Sequence, residues 1–149
     1  AVVTTAEIGA AFDSGPEFFS SFGGNPVSCA AGEAVLNVLE EEGLKSNALD
    51  SGSYLKDAFR ELSIRHNALA DIRGDGLFLG VELLDTLGKP DTAMAQKIKN
   101  GLRDSHILIG TDGPYNNVLK IKPPLPFNRV NCDELIGQMG RILENLPDS

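Results

Sequence analysis

Apolar residues recur at helical spacing from Pro26 to about Glu42, at Val27, Ala30, Ala31, Ala34, Val35, Val38 and Leu39, which predicts an amphipathic helix. Asn25 offers a capping acceptor just ahead of it, and Pro26 suits a first helical position, where a missing N–H costs nothing. Gly43 reads as its C-terminal stop. The acidic run Glu40-Glu41-Glu42 opposes the helix dipole there and reads as a solvated face. A second helix is predicted over Asn47 to Arg65, with Leu49, Leu55, Phe59 and Leu62 on one side. A third runs from Thr92 to Asp104 with Ala95, Ile98 and Leu102 inward, and a closing helix from Cys132 to Leu146. Asn131 is the expected cap of that last helix, with Glu134 completing a capping box. Short strands are expected at Ala1–Thr5, Ala70–Arg73, Leu77–Leu84, Ile107–Ile109 and Val118–Ile121, the second and third joined by a Gly74-Asp75-Gly76 turn. Residues Glu7 to Phe19 read as a loop broken by Gly15-Pro16.

This order implies an α+β fold, with helices covering one face of a small, mostly antiparallel sheet. The 149 residues suffice for a real core, and 42% apolar with 23% charged residues is ordinary globular composition. A net charge of −8 argues against a nucleic-acid partner and favours solubility. No apolar run approaches the ~20 residues of a membrane span. Cys29 and Cys132 lack metal-ligand spacing and read as reduced thiols of a cytoplasmic protein, with no metal site. The chain starts without Met in an apolar, strand-like run, which reads as a portion of something larger.

The most specific stretch is Ser20-Ser21-Phe22-Gly23-Gly24-Asn25-Pro26, leading into Val27-Ser28-Cys29-Ala30-Ala31-Gly32-Glu33. Hydroxyls and paired glycines ahead of a helix start suit a turn that holds an anion against backbone N–H groups. The same residues also suit a plain capping turn. Both readings stay open on chemistry alone.

The stretch resembles the S-T-F-G-G-N-P signature of class III aminotransferases, fold-type I enzymes that use pyridoxal phosphate (PLP). The likeness extends to Ala1-Val2-Val3-Thr4-Thr5 with Glu7-Ile8, to Arg73-Gly74-Asp75-Gly76-Leu77-Phe78-Leu79-Gly80-Val81-Glu82, to Asp112-Gly113-Pro114, and to Asn117 through Leu125. The resemblance implies that residues 1–25 are the tail of a large PLP-binding domain. Residues 26–149 would then be an interdomain helix and a C-terminal small domain. It also implies a homodimeric parent enzyme acting on a small amine or amino acid. PLP chemistry needs an anchoring lysine, an acid at the pyridine nitrogen and phosphate donors. None of Lys45, Lys56, Lys89, Lys97, Lys99, Lys120 and Lys122 stands in the family's anchoring context, so no catalytic residue is expected within this chain. What the family places here is a phosphate contact through Ser21, Phe22 and Gly23 to the PLP of the neighbouring subunit. Ser21 replaces the usual Thr and keeps the hydroxyl donor; local turn capping is its plainer role.

Lys120 aligns with an arginine that grips the substrate α-carboxylate in aminotransferases of this class. A lysine is a point charge where arginine is a two-pronged fork, so the change is not conservative. The segment Asn117-Val118-Leu119-Lys120-Ile121-Lys122-Pro123-Pro124 resembles the branch that includes ethanolamine-phosphate and phosphohydroxylysine phospho-lyases, alongside alanine–glyoxylate aminotransferase-like members. Amino transfer is therefore the expected function, with elimination of phosphate from a phosphorylated amine as the alternative and a non-catalytic dimerisation or regulatory module as a third. A surface lysine on an alternating strand is the plainer reading of Lys120. Arg73 with Glu82 reads as a cross-strand ion pair, His66 and His106 as surface residues, and Asp112-Gly113-Pro114-Tyr115 as a turn.

Overall fold

The computed structural model describes residues 2–146, which divide into two compact units, one ending at Asn37 and the other beginning at Val38. The first unit holds α1 (Ala6–Asp13) and most of α2 (Pro26–Glu41). Helix α1 stands where the sequence pattern gives a loop. Its cause is local: Thr5 caps it by accepting from the Ile8 N–H, Glu7 suits the positive end of the dipole, and Ser14 closes it by donating to the Ala11 carbonyl at 2.7 Å. The break at Gly15-Pro16 sets only its end. The strand expected at residues 1–5 does not form over residues 2–5, and Ala1 lies outside the described residues. No described strand supplies a ladder to it, and Val2 and Val3 are exposed. Phe12 and Phe18 meet edge to face at 5.7 Å, yet neither α1 nor α2 buries a residue.

The second unit carries the core. Gly43, at φ +60°, donates its N–H to the Glu40 carbonyl and turns the chain into α3 (Leu44–Arg65). That helix begins three residues earlier than expected from Asn47, and its buried stripe is Leu44, Ser51, Gly52, Leu55, Phe59 and Leu62. Leu49 lies about 120° round the helix from Leu55 and is exposed, so its expected inward place is corrected. A hairpin follows, β1 (Leu69–Asp75) and β2 (Phe78–Leu83), with Asp75 opposite Phe78 and a tight Gly76-Leu77 connection. The turn sits further on than Gly74-Asp75-Gly76 because Gly74 remains in the ladder, opposite Leu79.

Asp91 caps α4 (Thr92–Asp104) by accepting from the Met94 N–H at 2.8 Å, and Met94, Ala95, Ile98 and Leu102 point inward as the pattern requires. Residues 107–109 do not form the expected strand. Strand β3 is Gly110–Asp112, paired with β4 (Val118–Ile121). The Ile107 N–H is committed to the Leu102 carbonyl at the end of α4, and the same register would set Ile107 opposite Pro123, which has no N–H. Helix α5 (Arg129–Glu144) starts earlier than Cys132 because Asn128, not Asn131, is the cap. Asn128 accepts from the Val130 and Asn131 N–H groups, and Asn131 returns the bond to the Asn128 N–H at 3.1 Å. Glu134 takes no part in that box.

The antiparallel sheet has order β1-β2-β4-β3, so the fold is α+β with helices on one face, as expected. Helices α3 and α4 pack on the sheet and α5 packs on both of them. Leu79, Val81, Leu83, Leu119 and Ile121 meet Phe59, Ile98, Leu102, Cys132 and Met139 in the core. Glycine permits two close approaches. A Cβ on Gly52 would lie 2.0 Å from the Gly76 carbonyl oxygen, so α3 and the hairpin turn touch backbone to backbone. A Cβ on Gly101 would lie 3.0 Å from Ile142, where α4 meets α5.

Gly52→Ala should therefore destabilise the domain by about 3 kcal/mol or more, since backbone cannot yield as a side chain does. Gly137→Ala, in α5 with open space around it, should be neutral or stabilise by roughly 0.5–1 kcal/mol. Denaturant midpoints at constant slope for both variants check the pair.

Candidate functional site

The Ser20–Pro26 turn belongs to the first unit and Lys120 to the second. In the turn, the Ser20 hydroxyl accepts from the Gly23 N–H at 3.0 Å, and Gly24 adopts φ +68°. The Asn25 carbonyl oxygen accepts from the Val27 N–H at 2.9 Å and the Ser28 N–H at 3.3 Å, which is the cap the sequence calls for. Two of the amides that begin α2 are thereby taken, as is that of Gly23. Among the described residues nothing bonds the Ser21 hydroxyl or the N–H groups of Ser21, Phe22 and Gly24. The unbonded donors of the turn thus lie along its Ser21–Gly24 crest rather than at the helix end. Ser20, which the motif alone does not single out, is the residue that folds the crest; a serine three residues before a glycine is the signal for it. The Phe22 side chain is 88% exposed.

Lys120 sits at the middle of β4. Alternation along the strand sends Leu119 and Ile121 into the core and Lys120, half-buried, to the face of the sheet that no helix of this unit covers. Gly80 lies opposite it on β2 and Gly110 on β3, so Lys120 has no side chain directly beside it on either neighbour. Its ammonium instead reaches diagonally to Asp112, with Nζ 2.5 Å from Oδ2. The other Asp112 oxygen accepts from the Gly113 N–H at 2.9 Å. Lys120 and the Gly113 amide together hold the Asp112 carboxyl below the ordinary carboxylate range.

Arg73 shares this open face. One guanidinium nitrogen donates to Asp71 and to Glu82, each at 2.6 Å, and these two carboxylates raise the Arg73 pKa further above its already high value. The expected Arg73–Glu82 pair is present, with Asp71 as a second partner. A Cβ on Gly80 would come 3.1 Å from Val118 and 3.8 Å from the Arg73 stem; its absence leaves those side chains room to lie across β2. A groove of about 400 Å3 opens here, lined by Arg73, Phe78, Gly80, Asp112, Val118 and Lys120. Asn117, buried just ahead of β4, donates to the Leu83 carbonyl at 2.9 Å and ties the start of β4 to the end of β2. Asp112 is the participant that sequence reading assigns to a turn. The signal for it is the antiparallel register around Gly113-Pro114, obscured when the strand is set at residues 107–109. His66 is half-buried and His106 exposed, and neither bonds a side chain among the described residues.

Residues 1–143 match the profile of the aminotransferase class-III family. The chain is 45% identical over 140 residues to an alanine–glyoxylate aminotransferase 2-like protein of Drosophila melanogaster, covering 91% of this chain and 28% of that protein. It is 40% identical over 146 residues to the ethanolamine-phosphate phospho-lyase homolog 1 of Caenorhabditis elegans, covering 96% and 31%. Its fold superposes with TM-score 0.90 and 38% identity on an Arthrobacter phospholyase solved in complex with phosphoethanolamine, covering 97% of this chain and 35% of that one. The chain thus spans about a third of the length of the relatives it matches.

If Lys120 is the main cause of the low Asp112 pKa, Lys120→Ala should move the Asp112 carboxyl titration, followed by carbon-13 NMR, up toward 3.8, its unperturbed value. Because the folded pKa is depressed, the pair stabilises the fold above pH 3.8 and its contribution fades as pH falls through the folded pKa. Lys120→Ala should therefore flatten the acid limb of the stability profile by lowering stability slightly at neutral pH, the loss being small because the pair is exposed, while the two proteins converge below the folded pKa.

Proposed function

The chain belongs to the class III aminotransferase family, whose members depend on PLP, and we propose that it is the C-terminal part of such an enzyme acting on the amino group of a small amine or amino acid. In this reading residues 1–25 close the large domain, and residues 26–149 are the interdomain helix and the small domain. The observation that carries it is the Ser20–Pro26 turn, whose crest offers an unbonded hydroxyl and three unbonded amides. Those groups fit a phosphate: they are small, neutral donors grouped on a turn that Ser20 and Asn25 hold in shape. Ser21, with the amides of Phe22 and Gly23 in the family's assignment, would hold the PLP phosphate of a partner subunit. Here the Gly23 amide is already engaged by Ser20, so Gly24 is its better substitute. When bound, PLP supplies the electron sink for bond cleavage at the amino-bearing carbon. The residues of this chain bind and orient. The two free thiols, Cys29 exposed and Cys132 buried, support a reducing compartment such as the cytoplasm.

Amino transfer is the first reading. Phosphate elimination from a phosphorylated amine is the second, and Lys120 favours it: a single ammonium already paired with Asp112 offers no fork to an α-carboxylate. On that second reading, kcat/KM for phosphate release from phosphoethanolamine should exceed that for transamination of alanine. The reverse ranking, with keto acid formed and no inorganic phosphate, returns the enzyme to amino transfer.

The subunit assignment has its own test. Ser21→Ala should weaken PLP retention while leaving the stability of the fold unchanged, because the Ser21 hydroxyl makes no bond within the described chain. Mixing Ser21→Ala subunits with subunits that lack the anchoring lysine should restore activity at limiting PLP. Action across the interface leaves one site of each heterodimer intact; verified heterodimers without recovery would place Ser21 in its own subunit's site.

A further inference from the structure

The open face of the sheet assigns a role to a residue outside the family signature. Arg73 and Lys120 are the cations lining its groove, and both are matched: Arg73 by Asp71 and Glu82, Lys120 by Asp112. Register makes the second match specific. Asp112 pairs across the ladder with Val118, and Lys120 with Gly110 and Gly80. The glycines on both sides leave the lysine nothing to lean on, so the diagonal carboxylate two residues along the face fixes where the ammonium rests. The Asp112 carboxylate is itself fixed, because its second oxygen takes the Gly113 N–H at φ +83°.

We propose that Asp112 is a specificity-determining positioning residue: by holding and neutralising Lys120, it lowers the affinity of this face for substrates that carry an α-carboxylate relative to amines that lack one. The proposal rests on the reading of Lys120 as a substrate-side residue. An incoming carboxylate meets an ammonium that already has a counter-ion and must either displace Asp112 or share the cation with it. Two carboxylates converging on one lysine repel each other, which disfavours the α-carboxylate substrate and leaves a plain amine indifferent. The depressed Asp112 pKa is in keeping with this, since the carboxylate stays charged throughout the working range of an enzyme at neutral pH. Arg73, held at two carboxylates by one nitrogen, offers no easy replacement for Lys120.

Asp112→Asn is the informative change because the amide oxygen can still accept from Gly113 while the charge is lost. In the full-length enzyme that carries this segment, the ratio of kcat/KM for alanine to that for ethylamine should rise by between about 2-fold and 5-fold, the range open to an exposed pair. The change should lie in the KM for alanine rather than in kcat, and it should shrink as salt is added. In the double variant Asp112→Asn/Lys120→Met the rise should vanish. Binding of acetate, read from the Lys120 Nζ resonance by nitrogen-15 NMR, should tighten in Asp112→Asn by a similar factor, and this readout needs no turnover. Thermal unfolding of each variant, with Asp112→Ser as a second neutral replacement, separates a folding defect from a binding effect. An unchanged alanine-to-ethylamine ratio in folded Asp112→Asn and Asp112→Ser, with Lys120→Met still lowering it, overturns the role of Asp112 alone. A ratio that Lys120→Met leaves untouched overturns the reading of Lys120 on which the proposal stands.

Discussion

Strict alternation along β2 and β4 is the constraint on which the second unit depends. Leu79, Val81 and Leu83 on one strand and Leu119 and Ile121 on the other all face α3, α4 and α5. Burying that set leaves Gly80, Glu82, Val118 and Lys120 on the opposite face, because successive side chains point to opposite sides. A register slip of one residue would bury Lys120 and expose Leu119, so the apolar core fixes the position of the charge as firmly as a direct contact would. The hairpin enforces the same register from the other end, through the backbone contact between Gly52 and Gly76. Placement of the candidate substrate-side residue is thus a by-product of core packing.

Much of this was legible in the sequence, and the failures have identifiable causes. Helix α4 was legible to the residue because Asp91 and a clean apolar stripe act together. Helix α3 was legible in existence but not in phase: Leu49 looks inward by composition, yet the stripe is set by Leu44, Leu55, Phe59 and Leu62, with Ser51 and Gly52 filling positions that hydropathy alone would not choose. At Ile107–Ile109 the alternation was real, since Ile107 and Ile109 pack against the core while Leu108 is exposed. What was missing was a free donor at the start of the run, because the Ile107 N–H is held by the Leu102 carbonyl and Pro123 would stand opposite it. Hydrophobic pattern reports which side is buried; strand assignment also requires a ladder, and Pro123 ends that ladder early. Asparagine capping was legible in kind but not in place, because Asn128 and Asn131 are spaced to serve as cap and third residue of the same box.

The candidate site divides in the same way. The Ser20–Pro26 turn was legible through its glycines and resemblance, while the donor bookkeeping was not. Only the folded chain reveals that Gly23, Val27 and Ser28 have spent their amides on Ser20 and Asn25. The Lys120–Asp112 pair was illegible for a stricter reason. Diagonal contacts depend on the register of two strands, and a shift of a few residues in β3 changes which side chain faces the lysine.

The first unit raises a different physical question. Its helices bury no residue, and Val27, Val35 and Leu36 of α2 stand exposed in a helix without acidic residues in its first turn or basic residues in its last. Asn25 helps its start, but a cap contributes about 1 kcal/mol and a 16-residue helix with no buried face is marginal in water. Local signals therefore explain where α1 and α2 begin and end without explaining what stabilises them. Most helical stability in proteins comes from an apolar face that is covered. The Ser20–Pro26 turn lies between these two helices, so within the described residues its shape rests on local bonds: Ser20 to the Gly23 N–H, and Asn25 to those of Val27 and Ser28. Ser20 and Asn25 set the shape of the crest without help from a packed core.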